Sequence, residues 1–312
     1  MELDIWFIVD LYSKHIEGLR RARESQRELY TNYLQDELSL RDQLLAIWYN
    51  WSASEYIAAT AGIVGLLLRT RGYRIPELYA SPSAASLIGL LLRTRRYNTS
   101  SKPDTSKSTT RFEMALLRPQ LDDIEAEVTY LLIREFRPKT IVEIAPSGGW
   151  STSWILRALK DNDYGTLYSY DFNDTSKKTL PSDLTDDRWI FSKGKIQKRM
   201  HTLPQAFDYL FMDADHSASF TSWYVQHLFP RLKDGALVSV HDVFHKSQAG
   251  FPYEEGTIIL QWLQQKKYQF MTFSPAKDRS AYNKIIEVKK ELMIDEEIHP
   301  SQANPMIFFR NE

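Results

Sequence analysis

Two groups of acids and histidines stand at positions where a sheet protein could use them for catalysis. Asp213, Asp215 and His216 follow the apolar run FDYLFM, and His241 and Asp242 follow the run ALVSV. Carboxylate oxygens bind divalent cations such as Mg²⁺, and the histidine side chain can take up a proton near neutral pH. The two groups are therefore candidate functional residues.

A third group of candidate residues follows the run TIVEI, at the point where a helix begins. Small residues there let a ligand approach the backbone, and a helix N-terminus favours an anionic group; the residues are Glu143, Ala145, Pro146, Ser147, Gly148 and Gly149. Asp171 follows the next apolar run, TLYSY. A carboxylate at this position can accept hydrogen bonds from both hydroxyls of a ribose, which predicts a ribose-containing ligand.

A sheet is needed to bring these residues together, and from about residue 112 short apolar runs alternate with helical patterns. Seven strands are predicted, at 140–144, 166–170, 188–192, 207–212, 236–240, 268–273 and 306–309, with helices at 151–159, 220–232 and 254–265. A turn is predicted at 233–235. This alternation predicts a doubly wound α/β sheet, parallel in its main body, with the ligand at the carboxyl ends of the strands.

The N-terminal third has a different pattern. Residues 1–97 show apolar side chains at helical spacing and predict a helical segment, which would serve as a substrate cover or as a homo-oligomer interface. The heptapeptide GLLLRTR occurs twice, at 65–71 and 89–95. Residues 98–111 are rich in Ser, Thr and Lys and predict a linker, so that the main domain spans 112–312.

Composition excludes several classes of protein. The chain has no cysteine, which excludes disulfides, thiolate metal sites and cysteine nucleophiles. Its 39 basic and 40 acidic residues give a net charge of -1, and we expect neither nucleic acid nor membrane as a partner. The N-terminus lacks the basic start of a signal peptide, and the longest apolar stretch, 56–68, is shorter than the about 20 residues of a membrane span. A soluble, cytoplasmic protein is predicted.

The segments VEIAPSGGWST, YSYD, FDYLFMDADHS and LKDGALVSVHDV together resemble the class I S-adenosylmethionine-dependent methyltransferases. The similarity covers about two-thirds of the chain, and it is strongest to the small-molecule O-methyltransferase branch with an Asp-x-Asp-His-Ser motif. It implies a Rossmann-like sheet of seven strands with the last one antiparallel. It also implies methyl transfer from S-adenosylmethionine to a hydroxyl of a small molecule, of the sugar or polyketide natural-product type.

The resemblance implies roles for the loop and strand-end residues. Gly148 and Gly149 would line the methionine end of the cofactor, Glu143 would support the loop, and Asp171 would hold the ribose. Ala145 and Ser147 stand where the family has its first two glycines. These two residues and Asp213 complete the predicted cofactor site. After the third strand, the family often has an acid that binds adenine, and this chain has Lys193, Gly194 and Lys195 there instead.

Two mechanisms remain open for the acceptor side. In metal-dependent relatives the counterparts of Asp213 and Asp242 hold one Mg²⁺. In a related group of sugar-modifying enzymes, an acidic residue stands at the position of His241. Without a metal, His216 or His241 would be the general base. The loop after the fifth strand would shape the substrate side through His245, Lys246, Ser247, Tyr253 and Glu254.

Other interpretations also remain. Similar motifs occur in proteins of the same fold that are associated with hydroxylation. A protein of that kind would depend on a metal. A catalytically degenerate cofactor-binding scaffold is the alternative without enzymatic activity. Residues 277–303, between the last two strands, form an insertion that is predicted as a solvated helix, a lid or a dimer contact.

Overall fold

The structure is a computed structural model, and it describes residues 3–50, 119–244, 254–299 and 303–311. Two compact units are present: Met1–Tyr33 with Glu113–Glu312 form the first, and Leu34–Phe112 form the second. The first 33 residues thus belong to the same unit as the sheet, whereas the sequence had placed a boundary at residue 97. The repeated GLLLRTR segments and the 98–111 linker lie outside the described residues.

The first unit contains the predicted seven-stranded sheet, in the order β3-β2-β1-β4-β5-β7-β6. The strands are β1 (Thr140–Ile144), β2 (Thr166–Asp171), β3 (Trp189–Lys193), β4 (Phe207–Met212), β5 (Leu232–Val240), β6 (Phe270–Thr272) and β7 (Ile307–Arg310). β1 to β5 pair in parallel, and β7 pairs antiparallel with both β5 and β6. The predicted fold class, including the antiparallel last strand, is confirmed.

Helices cover both faces of this sheet. They are α1 (Ile5–Lys14), α2 (Ile16–Asn50), α3 (Asp123–Phe136), α4 (Trp150–Asn162), α5 (Ser176–Thr179), α6 (Ser182–Thr185), α7 (Ile196–Arg199), α8 (Ala218–His227), α9 (Glu255–Lys266) and α10 (Arg279–Glu291). α3 and α4 pack in the same apolar core as Ile141 of β1. α8 and α9 pack in a second core with Val142, the next residue of that strand. Successive strand residues point to opposite faces, which accounts for the two cores. None of the helices in the described ranges is both long and apolar enough to cross a membrane.

Two predicted boundaries are wrong around β5. The helix expected at 220–232 ends at His227 and is followed by a short 3-10 turn, Phe229–Arg231. The turn expected at 233–235 lies inside β5, because Leu232 already pairs with Phe207 of β4. Gly235 has a φ of 74°, and its N–H donates to the carbonyl of Asn311 at 2.6 Å, so the strand continues through the glycine.

The insertion between β6 and β7 is part of the core. Ala281, Ile285 and Val288 of α10 are buried, and α10 contacts α1. Lys289 is buried as well, with its Nζ 2.9 Å from Oε1 of Glu127 in α3. The prediction of a solvated helix is therefore wrong, because this helix buries one apolar face and pairs its one buried cation.

Glu127 also ties the N-terminal helices to α3. Tyr12 of α1 donates a hydrogen bond to Oε2 of Glu127 at 2.8 Å, and Arg23 of α2 forms a buried ion pair with Oε1. A buried carboxylate needs such partners, because an unpaired one would be strongly destabilising. This cluster explains why the first 33 residues and α10 belong to one compact unit.

Candidate active site

A cavity of about 690 Å³ opens at the carboxyl ends of the parallel strands. It has one end beside the loop after β1 and the end of β2, and another beside the ends of β4 and β5. Its walls are formed by Gln120, Asp122, Ile144, Ala145, Ser147, Tyr170, Asp171, Phe172, Asn173, Gly194, Lys195, Ile196, Gln197, Asp213, Ala214, Asp215, His216, Phe220, His241, Asp242, Ala303 and Pro305. The cavity thus brings together most of the predicted site residues.

The loop after β1 has a glycine-like backbone at Ala145 and Ser147, although neither residue is glycine. Ala145 and Ser147 have φ values of 62° and 50°, in the left-handed region that non-glycine residues rarely adopt. The N–H of Ala145 donates to the carbonyl of Tyr170 at 2.8 Å, which helps to hold this shape. Both residues line the cavity. The loop therefore keeps its close approach to the cavity without the first two glycines.

Gly148 and Gly149, which the sequence placed at the methionine end of a cofactor, lie behind this wall. Both are buried, and neither is among the residues that line the cavity. Gly149 has a φ of 95° and begins α4; a Cβ there would lie 3.0 Å from Cγ of Leu180. Its position is explained by the turn and by close packing.

Glu143 stabilises the end of the same loop, where α4 begins, through hydrogen bonds. It is fully buried and accepts hydrogen bonds from the hydroxyls of Ser151 (2.7 Å), Thr152 (2.9 Å) and Ser169 (2.6 Å). Burial raises the pKa of Glu143 to about 7, although the three hydroxyl donors oppose the rise. Glu143 does not line the cavity, so its geometry is that of a support for the start of α4.

Asp171 stands at the end of β2 and faces the cavity. Its Oδ2 accepts the N–H of Ser147 at 2.9 Å and its Oδ1 accepts the N–H of Asn173 at 3.0 Å. Burial raises the pKa of Asp171, and the backbone donors oppose the rise. The next residue, Phe172, lines the cavity while 70% of its surface remains exposed.

Asp213, His216 and Asp242 converge at the other end of the cavity. One ligand atom from each of the three lies within 4.8 Å of the other two. Nε2 of His216 is 3.4 Å from Oδ2 of Asp242 and 4.0 Å from Oδ1 of Asp213. Asp242 has a φ of 60°, a strained conformation for a residue other than glycine.

A buried glutamate orients His216 from outside the cavity. Nδ1 of His216 is 2.7 Å from Oε2 of Glu255, and the other oxygen of Glu255 accepts a hydrogen bond from Tyr224 at 2.8 Å. Burial opposes a charge on His216, but Glu255, Asp242 and Asp213 together raise the pKa of His216. The sequence analysis did not identify Glu255, and it is the residue that fixes the ring.

Gly256 allows Glu255 to reach this position. A Cβ on Gly256 would lie 2.3 Å from the carbonyl oxygen of Val243. Only glycine therefore lets the first turn of α9 dock so closely on the residues after β5.

His241 lies between three carboxylates. Its Nδ1 is 3.3 Å from Oδ1 of Asp213 and 3.4 Å from Oδ1 of Asp242, and its Nε2 is 3.3 Å from Oε2 of Glu125 in α3. Burial opposes a charge on the ring, but Asp213 and Glu125 raise the pKa of His241 well above its usual value. In turn His241 and His216 hold the pKa of Asp213 below its usual value, against the effect of burial. A histidine with this raised pKa is a poor proton acceptor.

One wall of the cavity comes from the start of α3 and the end of the insertion. Oδ2 of Asp122 accepts the N–H of Asn304 at 2.6 Å, and Oε1 of Glu125 accepts the N–H of Met306 at 2.7 Å. Oδ2 of Asp123 accepts the N–H of Ile298 at 2.7 Å. These bonds bring Ala303 and Pro305 to the cavity wall, which the sequence analysis did not foresee.

The predicted substrate loop after β5 is described only at its edges. His245, Lys246, Ser247 and Tyr253 lie outside the described residues. Glu254 is described, and its Oε2 accepts the N–H of Ala218 at 3.0 Å. It is not among the residues that line the cavity.

Residues 142–243 match the family model described as a methyltransferase domain. This match runs from β1 to the residues after β5, and it includes all three groups of strand-end residues. No curated protein matches the chain. The part of the chain from β1 to the residues after β5 is therefore similar to a methyltransferase domain. The match supports the prediction of a methyltransferase.

Solved structures with a similar fold include several methyltransferases. An O-methyltransferase from Bacillus cereus in complex with SAH is 15% identical, covers 68% of this chain and 93% of its own, and has a TM-score of 0.46. The O-methyltransferase TomG from Streptomyces achromogenes, in complex with SAM, is 16% identical, covers 58% and 87%, and has a TM-score of 0.42. Cofactor-bound Rv0187 from MTB is 18% identical, covers 59% and 88%, and has a TM-score of 0.45.

Proposed function

We propose that this chain is an O-methyltransferase that uses S-adenosylmethionine to methylate a hydroxyl group of a small molecule. One observation supports this most directly: a single cavity runs from Ser147 and Asp171 to Asp213, His216 and Asp242. A ribose-containing methyl donor and a hydroxyl acceptor need such adjoining sites, because the acceptor oxygen must reach the methyl group in line.

The end of the cavity beside the loop after β1 and the end of β2, which we call the donor end, fits S-adenosylmethionine. Asp171 lines the cavity beside the glycine-like loop and each of its oxygens has already accepted one backbone N–H, which leaves further lone pairs for ribose hydroxyls. Phe172, exposed at the rim, offers a flat apolar surface for adenine, and Lys195 and Gln197 are the polar side chains on the same side. When bound, the cofactor supplies an electrophilic methyl group on its sulfonium.

The end of the cavity beside the ends of β4 and β5, which we call the acceptor end, fits a neutral compound with several hydroxyls, such as a sugar or a polyketide-type product. Its described lining includes Asp122, Asp213, Asp215 and Asp242, whose carboxylates accept hydrogen bonds from hydroxyls. The same acids disfavour a phosphate-bearing acceptor.

The acid and histidine cluster would hold the reacting hydroxyl and receive its proton. Asp213 is kept ionised by its histidine neighbours, and Glu255 fixes His216 with Nε2 toward the two aspartates. The carboxylates of Asp213 and Asp242 also fit a divalent cation such as Mg²⁺, which would lower the pKa of a bound hydroxyl. His241, held between Glu125 and Asp213, is less suited to accept a proton than His216.

Calorimetric titration with S-adenosylhomocysteine tests the donor site. We expect micromolar binding by the wild-type chain and at least about tenfold weaker binding by Asp171→Ala, since a hydrogen bond to a charged group contributes about 1.5–3 kcal/mol. Asp174→Ala is the matched control, because Asp174 is exposed and pairs with Lys193 outside the cavity. Absence of binding by the wild-type chain would overturn the proposal.

Transfer itself can be followed with a labelled methyl group and a panel of sugars, phenols and amines. We expect methyl ethers and no methylated amines. Labelled product that forms only with amines would contradict the assignment to hydroxyl groups, while leaving the donor site intact.

A further inference from the structure

We propose that Ser169 of β2 and Trp189 of β3 are positioning residues of the donor end, which act on the loop after β1 through Glu143. With the hydroxyls of Ser151 and Thr152 they form a hydrogen-bonded set that we call the donor-loop network. The inference deepens the proposed function and rests on it, because this loop is the one expected to meet the methyl donor. Ser169 and Trp189 were not candidate site residues in the sequence, and neither lines the cavity.

The network begins at the edge strand of the sheet, with the contact between Trp189 and Ser169. Nε1 of Trp189 lies 2.8 Å from Oγ of Ser169. Trp189 pairs with Leu167, two positions before Ser169, so the two side chains stand on the same face of the sheet. The indole ring also packs against Phe191, with ring centroids 5.6 Å apart, which helps to fix its position.

The direction of the next bond follows from the chemistry of the indole. An indole N–H can only donate, so Ser169 accepts from Trp189 and its own proton is left for Glu143, whose Oε2 lies 2.6 Å away. Ser169 and Glu143 are fully buried. If Ser169 accepted a proton from Glu143 instead, its own O–H would have no acceptor among the described residues, which is costly. At this contact Glu143 is therefore the acceptor.

The other side of Glu143 faces the start of α4. Ser151 donates to Oε1 of Glu143 at 2.7 Å, and Thr152 donates to Oε2 at 2.9 Å. Both residues are buried and belong to the first turn of α4, which follows the loop after β1 directly. The donor-loop network therefore joins β3, β2 and β1 to the point where this loop ends.

The strength of the network depends on the charge of Glu143. Successive hydrogen bonds polarise one another, so donation by Trp189 makes Ser169 a stronger donor and favours the ionised carboxylate. Burial opposes ionisation, as does the charge of Asp171 on β2, and the pKa of Glu143 is about 7. On the other side, β4 places the apolar Phe211 beside Glu143. A change in the charge of Glu143 should therefore reach Trp189 through Ser169.

The network is tested without any ligand, by ¹H–¹⁵N NMR of the tryptophan side chains. The indole signal of Trp189, identified by its loss in Trp189→Phe, should move with pH with a midpoint of about 7 in the wild-type chain. The movement should disappear in Glu143→Gln, which has no charge to lose, and in Ser169→Ala, which interrupts the network. Trp6, which is 67% exposed on α1, is the internal control and should not show this midpoint.

Calorimetric titration with S-adenosylhomocysteine tests the effect on the donor end. Ser169→Ala and Trp189→Phe should each weaken binding by about 3- to 30-fold, within the range for residues that act on a site through others. Ser169→Thr keeps the hydroxyl and should retain the wild-type affinity. The matched controls are Trp6→Phe and Ser239→Ala. Ser239 is a buried serine of β5 whose hydroxyl pairs with Tyr209 at 2.6 Å, and both controls should bind as the wild type does.

The inference is overturned if the Trp189 signal of the wild-type chain does not titrate, or if Ser169→Ala and Trp189→Phe bind S-adenosylhomocysteine as tightly as the wild type. It is also overturned if Ser169→Thr weakens binding as much as Ser169→Ala, since packing and not the hydroxyl would then be responsible. Titration of Trp189 in a wild-type chain that binds no S-adenosylhomocysteine would mark a failure of the proposed function. Normal binding without titration would mark a failure of this inference alone.

Discussion

Oδ2 of Asp171 accepts the backbone N–H of Ser147 at 2.9 Å, so the carboxylate at the end of β2 also holds the loop at the end of β1. The two residues come from neighbouring parallel strands and stand 24 positions apart. The group expected to bind the ribose is thus the same group that shapes the loop. Substitution of Asp171 should therefore affect both the hydroxyl contacts and the loop.

The strained loop makes a prediction about stability. Ala145 and Ser147 adopt a left-handed backbone that costs non-glycine residues about 1–2 kcal/mol. Ala145→Gly and Ser147→Gly should each raise the free energy of unfolding, by roughly 0.5–1 kcal/mol after the greater freedom of unfolded glycine is allowed for. Urea denaturation measures this. Ala218→Gly, at the start of α8 with a negative φ, should have the opposite sign, and destabilisation at all three positions would contradict the strain argument.

Glu143 makes a prediction about pH. Its pKa rises from the usual 4.5 to about 7, so between these values the folded chain keeps a proton that the unfolded chain has lost. The contribution of Glu143 to stability should therefore fall as pH rises from about 4.5 to 7, by on the order of 3 kcal/mol at most, and level off above that. Glu143→Gln removes this dependence, so its stability relative to the wild type should improve between pH 5 and 7. A constant difference across that range, measured by urea denaturation, would show that the carboxyl is ionised throughout.

The close packing at Gly256 leads to a prediction about stability and about the position of Glu255. Gly256→Ala would place a Cβ 2.3 Å from the carbonyl oxygen of Val243 and must displace the first turn of α9. We expect destabilisation by about 1–3 kcal/mol, typical of overpacking, together with a lower pKa of His216 because Glu255 moves away from its ring. Thermal unfolding and NMR titration of the histidine check the two effects. Gln261→Ala, on the exposed side of the same helix, should change neither.

The packing of the insertion predicts different effects on stability for buried and exposed residues of α10. Ile285 of α10 is fully buried in the core that also contains Ile8 of α1, so Ile285→Ala should cost about 2–5 kcal/mol. Lys290→Ala, on the exposed face of the same helix, should stay within about 0.5 kcal/mol of the wild type. If the two variants unfold at the same denaturant concentration, α10 is not packed in solution as described.

The sequence predicted the sheet well because its signal is local. TIVEI and FDYLFM are mainly apolar runs, and such runs are typical of strands buried on both faces. Both strands have the predicted bounds. The end of α8 was harder to predict, because Phe229 and Leu232 continue an apolar pattern after the helix has ended and serve the 3-10 turn and β5 instead.

The parts of the site that the sequence did not predict depend on distant contacts. Glu255 reaches His216 from 39 positions away, and nothing near Glu255 in the sequence distinguishes it from Glu254. Likewise the buried Lys289 lies in a segment rich in charge, and its partner Glu127 is 162 positions away. Local composition gave the chemistry of the strand ends, but the residues that orient them are defined only by the fold.

The wall formed by the start of α3 and the end of the insertion has a consequence for the order of folding. Its hydrogen bonds to Ile298, Asn304 and Met306 join positions 175, 182 and 181 residues apart. Contacts of such long sequence separation form late, because most of the chain must be ordered before they can close. In pulse-labelled hydrogen exchange during refolding, these three amides should gain protection after those inside α3. The acceptor end of the cavity would then be the last part of the domain to mature, and simultaneous protection would contradict this order.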